Sequence, residues 1–315
     1  MARRPPSSSP TRQERRSQER SARIRRQRQQ QQAQRQRRMV GLAAGGIVLV
    51  LAVLVAVRLV TQNSSPATQE GPVPPEVMAD LTSVSPSTFE QADRSGVQTM
   101  PVPIRATLQR GPSGLPLVTY IGAEYCPFCA GERWPLVVAL GRFGSFSGLR
   151  LSHSAADDVY PNTATLSFFG SSYSSPYVEL SAVETQTNVR SGGSYKDLQT
   201  PTPAQESLLR TYDAPPYVPA SSAGAIPFLD IANQYMVTGS NFDVGQLRGL
   251  SQAQIAAMVK DSSTDAGRAI VGTANVLTAA VCSATADNPP DVCSQPVVRT
   301  QEAALAALPT PARAP

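Results

Sequence analysis

The chain has 315 residues, four cysteines, one histidine and a formal net charge of +5, and it is too long for one small domain. Thirteen arginines against two acids, Glu14 and Glu19, fall within residues 1–38, so that segment carries +11 and the other 277 residues −6. The basic balance is therefore a property of the tail; no aromatic or folded reader accompanies it, and no nucleic acid is expected as a partner. Residues 1–38 also hold a glutamine-rich run and almost no apolar side chains. Nothing there offsets the entropy of ordering, so a disordered basic tail is expected.

Val40–Val57 follows as an apolar run without a charge. As a helix it covers ~27 Å, close to a bilayer core of ~30 Å. Residues 39–60 are therefore expected to form a transmembrane helix, with Arg58 snorkelling to the headgroups of the lipid bilayer. The flanking arginines place the N-terminus in the cytoplasm and the rest of the chain outside, as a single-pass protein of the cell membrane. A cleaved signal peptide is the competing reading, but the run is longer than a usual signal core and no clear small-x-small site follows it.

Residues 61–84 are polar and Pro-rich and are expected as a linker. Residues 85–298 are expected as the extracytoplasmic folded domain. SPSTFEQA (Ser85–Ala92) has the form of a short helix with Ser85 as its cap and Pro86 at its first position. LPLVTYIGA (Leu115–Ala123) is a strand pattern that runs into Cys126-Pro127-Phe128-Cys129, and a helical stretch follows to Gly144. Gly148–His153, Thr163–Phe169 and Tyr177–Thr187 are strand candidates. Residues 190–222, rich in Gly, Ser, Pro and Thr, are expected as an insertion or long loop. Ile226–Gly239 has two strands with a turn near Asn233; Ser251–Asp261 and Ala266–Val281 are helices. Residues 299–315 are expected as a loose tail.

The CxxC at a strand-to-helix junction carries the chemistry. A helix N-terminus offers unpaired N–H groups and the positive end of its dipole, and both favour a thiolate at Cys126. Cys129, one turn on, can close a small disulfide and resolve a mixed disulfide. Pro127 loses nothing at a position whose N–H has no helical partner. Cys126 and Cys129 are thus the candidate catalytic pair, the partners are protein thiols or disulfides, and no cofactor is expected. Two other readings remain open: a locked structural disulfide in a scaffold or binding module, and half of a zinc site. Zinc usually takes a second close cysteine pair, whereas Cys282 and Cys293 are eleven apart; no metal site is expected. Cys282 and Cys293 are read as a structural disulfide outside the membrane, the alternative being a second redox pair. His153 is read as a strand residue and Trp134 as a packing residue or a wall of the groove.

Ala123-Glu124-Tyr125-Cys126-x-x-Cys129 resembles the Ala-Glu-Trp-Cys-x-x-Cys of thioredoxins, and Cys-Pro-Phe-Cys is similar to the Cys-Pro-Tyr-Cys of glutaredoxins. The longer string YIGAEYCPFCAGERWPLVVALGRFG is similar to domain-of-unknown-function family 929, a thioredoxin-like group without an assigned activity. The resemblance implies an α/β, thioredoxin-like fold with a large insertion before a cis-proline strand. It assigns Pro227, with Ile226 before it, to the substrate-binding cis-proline. It implies the fold but no substrate; the CxxC chemistry and the expected anchor together give the reading of a membrane-anchored thiol–disulfide oxidoreductase acting on protein disulfides, with a membrane electron donor or acceptor as a further partner. Tyr120 stands where thioredoxins carry a buried aspartate, and Glu124 is the nearest acid. Pro135 lies one residue later than the thioredoxin helix proline. These departures leave oxidase, isomerase and reductase directions open.

Overall fold

A computed structural model describes residues 70–311. The expected basic tail, the apolar run Val40–Val57 and residues 61–69 of the expected linker lie outside the described residues, as do residues 312–315. Among the described residues no helix is long and apolar enough to cross a membrane.

The first elements are β1 (Gly71–Pro72), α1 (Pro75–Thr82), α2 (Pro86–Ala92), β2 (Val102–Pro103), β3 (Leu117–Gly122) and α3 (Pro127–Leu140). Then come β4 (Ser145–Ser147), β5 (Arg150–His153), β6 (Ala164–Ser167), β7 (Ser172–Ser174), β8 (Glu179–Glu184), β9 (Gln186–Ser191), β10 (Ser194–Asp197) and α4 (Pro203–Tyr212). The chain closes with β11 (Phe228–Ile231), β12 (Tyr235–Thr238), α5 (Gln252–Val259), α6 (Asp265–Ala284), α7 (Pro290–Cys293) and α8 (Pro296–Ala306).

The architecture is mixed α/β around a five-stranded mixed sheet of order β2-β12-β11-β3-β8. β3 pairs parallel with β8 and antiparallel with β11, so Tyr120 lies opposite both Ala182 and Leu229. A central strand covered on both faces is buried at every position, which is why Val118–Gly122 does not alternate between buried and exposed. The β11–β12 hairpin turns through Ala232, Asn233 and Gln234, between the paired Ile231 and Tyr235; Ala232 and Asn233 both have positive φ (53° and 59°).

On one face of the sheet lie α3 and α6, each buried almost all round, as the cores of larger domains require. α3 continues through Pro135 and ends at Leu140, with Gly141 as its cap, four residues short of the expected end. Ser85 caps α2 by accepting the Thr88 N–H, and Ser251 and Gln254 form a reciprocal capping box on α5.

Two expectations fail and a third narrows. Residues 190–222, expected as an insertion or long loop, are an ordered insertion: they complete the β9–β10 hairpin and form α4. A Thr202–Gln205 capping box starts α4. Its Leu208 and Tyr212 cover the opposite face of the sheet, against Ile121, Val183 and Phe228. Pro75–Thr82, within the expected linker, is helical because Val77 and Leu81, four apart on one face, are buried in the main core. The expected loose tail is helical as far as Ala306: Val297, Val298, Gln301 and Leu305 are buried, and Gln301 Nε2 donates to Asp93 Oδ1 at 2.6 Å.

Candidate active site at Cys126 and Cys129

β3 delivers the chain to a short turn, Ala123–Tyr125, and α3 begins at Pro127. Cys126 is the cap of α3: its extended backbone lets Sγ accept the Cys129 N–H at 3.4 Å. The thiol therefore takes the role a serine or aspartate plays at ordinary helix starts. Both cysteines are free thiols. Cys126 keeps 5% of its surface and Cys129 none, so a reactant arriving from solvent meets Cys126 first.

The two thiols titrate in opposite directions. Cys126 is lowered from the ordinary thiol value, chiefly by the hydrogen bond with the Cys129 thiol, and then by the Cys129 N–H and the positive charge of Arg133, against the effect of burial. Cys129 is pushed well above that value by burial and by its hydrogen bond to Cys126. One sulfur is thus prepared as a nucleophile and the other holds its proton.

Across from the pair stands the loop that opens β11. The Ile226–Pro227 peptide bond is cis, and Cys126 Sγ donates to the Ile226 carbonyl at 3.5 Å. Residues a hundred positions apart are joined here because β11 lies beside β3, with Phe228 opposite Ile121. Aromatic side chains rim the opening. Phe128 is 40% exposed and meets Tyr160 edge-on at 6.0 Å. Tyr125 stacks on Tyr195 of β10 at 4.2 Å. Asp157 holds that hairpin in place, accepting from Arg190 Nε and the Tyr195 hydroxyl, each at 2.8 Å.

Behind the thiols lies a group of buried charges. Arg133, one turn after Cys129, donates Nε to Glu184 Oε1 at 2.9 Å and Nη2 to Glu184 Oε2 at 2.7 Å. Both side chains are wholly enclosed; the short forked geometry is that of an ionised pair. Nη2 also donates to the Ala123 carbonyl at 2.8 Å. The neighbouring Glu132 has no cation: Oε2 accepts the Asn241 N–H at 3.0 Å, and burial pushes its carboxyl up to about 8. Tyr120 is buried in front of Arg133, whose guanidinium lies 5.9 Å from the ring.

Of the other singled-out residues, Trp134 is fully buried and donates Nε1 to the Ala164 carbonyl at 3.1 Å. Glu124 accepts from Ser167 Oγ at 2.6 Å. His153 ends β5, with Nε2 3.2 Å from Glu70. Cys282 and Cys293 are joined in a disulfide between the last turn of α6 and α7. Among the described residues no three His, Cys, Asp or Glu side chains gather as a metal ion would need. The Arg133–Glu184 pair was missed by the sequence reading; its one trace is the presence of Glu132-Arg133 inside an otherwise apolar helix.

Residues 107–283 match the family model described as Domain of unknown function (DUF929). The match spans more than half of the chain and includes Cys126, Cys129, Arg133, Glu184 and Pro227; the chain belongs to this family. No curated protein and no solved structure matches the chain.

Proposed function

We propose that this DUF929 member is a membrane-anchored, extracytoplasmic thiol–disulfide oxidoreductase of thioredoxin-like design, acting on protein disulfides through Cys126 and Cys129. One observation carries the reading: a thiol that caps α3, accepts the Cys129 N–H and lies against the Ile226 carbonyl, with its acidity raised chiefly by the hydrogen bond with the Cys129 thiol and then by the Cys129 N–H and Arg133, against burial. The thioredoxin-like design is supported by the sequence of strand, CxxC turn and helix, and by the Ile226–Pro227 loop at the head of the neighbouring antiparallel strand. The anchor and the extracytoplasmic location rest on the Val40–Val57 run and the arginines before it.

The Cys126 thiolate attacks one sulfur of a substrate disulfide. A Cys126–substrate disulfide forms, the substrate's own S–S bond breaks, and its second sulfur leaves as a thiolate that takes a proton from water. Cys129 then attacks Cys126 Sγ. The Cys126–Cys129 bond forms, the mixed disulfide breaks, and the proton of Cys129 goes to the departing sulfur. Two electrons pass from the cysteine pair to the substrate. Every step runs equally in reverse, delivering a disulfide to a dithiol, and a second thiol–disulfide partner restores the starting state. The aromatic rim of Phe128, Tyr160, Tyr125 and Tyr195 provides apolar surface for an unfolded or extended polypeptide.

The test is redox equilibration of the full-length protein in detergent against glutathione, with thiols counted by mass spectrometry. A pair that interconverts reversibly, with Cys126 alkylated before Cys129, is expected. A pair that stays unreactive until the protein unfolds would overturn the reading.

A further inference from the structure

We propose that Arg133 is a positioning residue of the thiol site: its buried guanidinium, fixed between Glu184 and the Ala123 carbonyl, favours the thiolate first at Cys126 and then at Cys129. The inference rests on the disulfide-exchange reading above and adds to it a charged contribution to the thiolate beside the Cys129 hydrogen bonds.

The geometry points there in three ways. Arg133 follows Cys129 by four residues on α3, so both side chains leave the same face of the helix. The Ala123 carbonyl that accepts Arg133 Nη2 at 2.8 Å also accepts the Cys126 N–H at 3.3 Å; guanidinium and nucleophile thus share one backbone oxygen. Finally, Arg133 Nη1 is buried without a hydrogen-bond partner among the described residues. Evolution of charge on a nearby sulfur therefore meets a cation whose donors Glu184 has not saturated. Enclosed in protein, such a charge acts far more strongly than it would across water.

Other titratable groups face the site. Tyr120 comes from β3, Glu184 from β8, and Tyr125 and Glu124 from the turn; Glu132 shares α3. Tyr120 is held neutral, pushed well above its ordinary value by burial, and Glu132 is neutral at pH 7 for the same reason. Glu184 is the one enclosed anion, and it opposes a thiolate. Arg133 outweighs it at both sulfurs, because it sits on the helix that carries them while Glu184 stands behind it on the sheet; its pull on Cys129 exceeds the push of Glu184. Glu184 is nonetheless needed, since an enclosed arginine without a counter-charge is strongly destabilising.

The experiment measures the rate of Cys126 alkylation against pH in the full-length reduced protein. Arg133→Gln with Glu184→Gln removes both charges and retains hydrogen-bonding side chains. Its profile is expected to move to higher pH, with about tenfold less thiolate at a fixed pH on its rising limb, a shift of about one unit. Glu184→Gln alone leaves the cation unopposed, and its profile is expected to move to lower pH. Opposite displacements are something a merely structural role does not produce. A folded double variant with an unmoved profile overturns the proposal. If the double variant does not fold, Arg133→Met with Glu184→Leu, an apolar replacement of the whole pair that leaves no buried charge, decides: an unmoved profile overturns it. The wild-type profile separates the two levels of inference: a Cys126 that titrates as an ordinary thiol and never forms a disulfide with Cys129 defeats the redox reading itself. A wild type that exchanges, with variants that do not shift, defeats only the role of Arg133.

Discussion

The molecule has two cysteine pairs, and burial does not distinguish them: all four sulfurs belong to residues with 5% or less of their surface exposed. What differs is the helix end. Cys126 caps the N-terminus of α3, where free N–H groups and the positive end of the dipole stabilise a thiolate. Cys282 lies in the last turn of α6, where the carbonyls point and the dipole disfavours one. Cys126 also has Arg133 behind it, whereas Cys282 is already joined to Cys293. The same residue type becomes a reactive group or a fixed crosslink according to the electrostatics of the backbone around it.

The largest expected effect breaks that comparison outright. Cys126→Ser should reduce exchange with a model protein disulfide to the uncatalysed background. Cys129→Ser should keep the attack and accumulate a mixed disulfide, visible as a mass increase equal to the substrate. Exchange persisting in Cys126→Ser would move the chemistry elsewhere. Next in size, replacing Cys282 and Cys293 together by alanine should lower stability by about 2–3 kcal/mol, as expected for a disulfide closing a short loop. Urea unfolding measures that loss, and exchange by Cys126 should be unchanged. A folded double variant that no longer exchanges would make the second pair an electron relay rather than a crosslink.

The two pairs also differ in how far the sequence disclosed them. Cys126 was legible because every local signal agrees: the continuous apolar run of β3, the two-residue spacing, Pro127 at the first helical position and an apolar helix afterwards. The Ile226–Pro227 loop was legible only through resemblance, since nothing local in AIPFLDI says which strand it will face. The Arg133–Glu184 pair joins residues 51 apart in sequence. It arises because β8 lies parallel to β3 beneath α3, a tertiary fact with no periodicity to reveal it. α4 was hidden by the Gly, Ser, Pro and Thr around it, although Leu208 and Tyr212 carry helical spacing. The expected loose tail misled in the same way, because its Ala- and Pro-rich end obscured Val297, Val298 and Leu305.

The smallest effect sharpens the comparison from inside α3, where Glu132 and Arg133 are adjacent, equally buried and differently partnered. Arg133 has a counter-ion; Glu132 has only neutral donors, the Asn241 N–H and the Ser240 hydroxyl. Its carboxyl is raised from an ordinary 4.5 to about 8 by burial. The folded state therefore keeps a proton that the unfolded chain has already released, and stability falls as pH rises from about 4.5 through about 8. Between about pH 7 and about pH 8 the loss from this one group is about 1 kcal/mol. Asp230 contributes in the same direction, but burial raises it only to about 7, so its share fades in that interval. Glu132→Gln keeps the acceptor for Asn241 and removes the titration. Urea unfolding of wild type and variant across this interval should show the wild type weakening and the variant nearly level. If both weaken alike, Glu132 is ionised in the folded protein. The enclosed charge behind Cys126 would then be balanced differently from the arrangement in which Arg133 is the one enclosed cation that helps the Cys129 hydrogen bonds favour the thiolate.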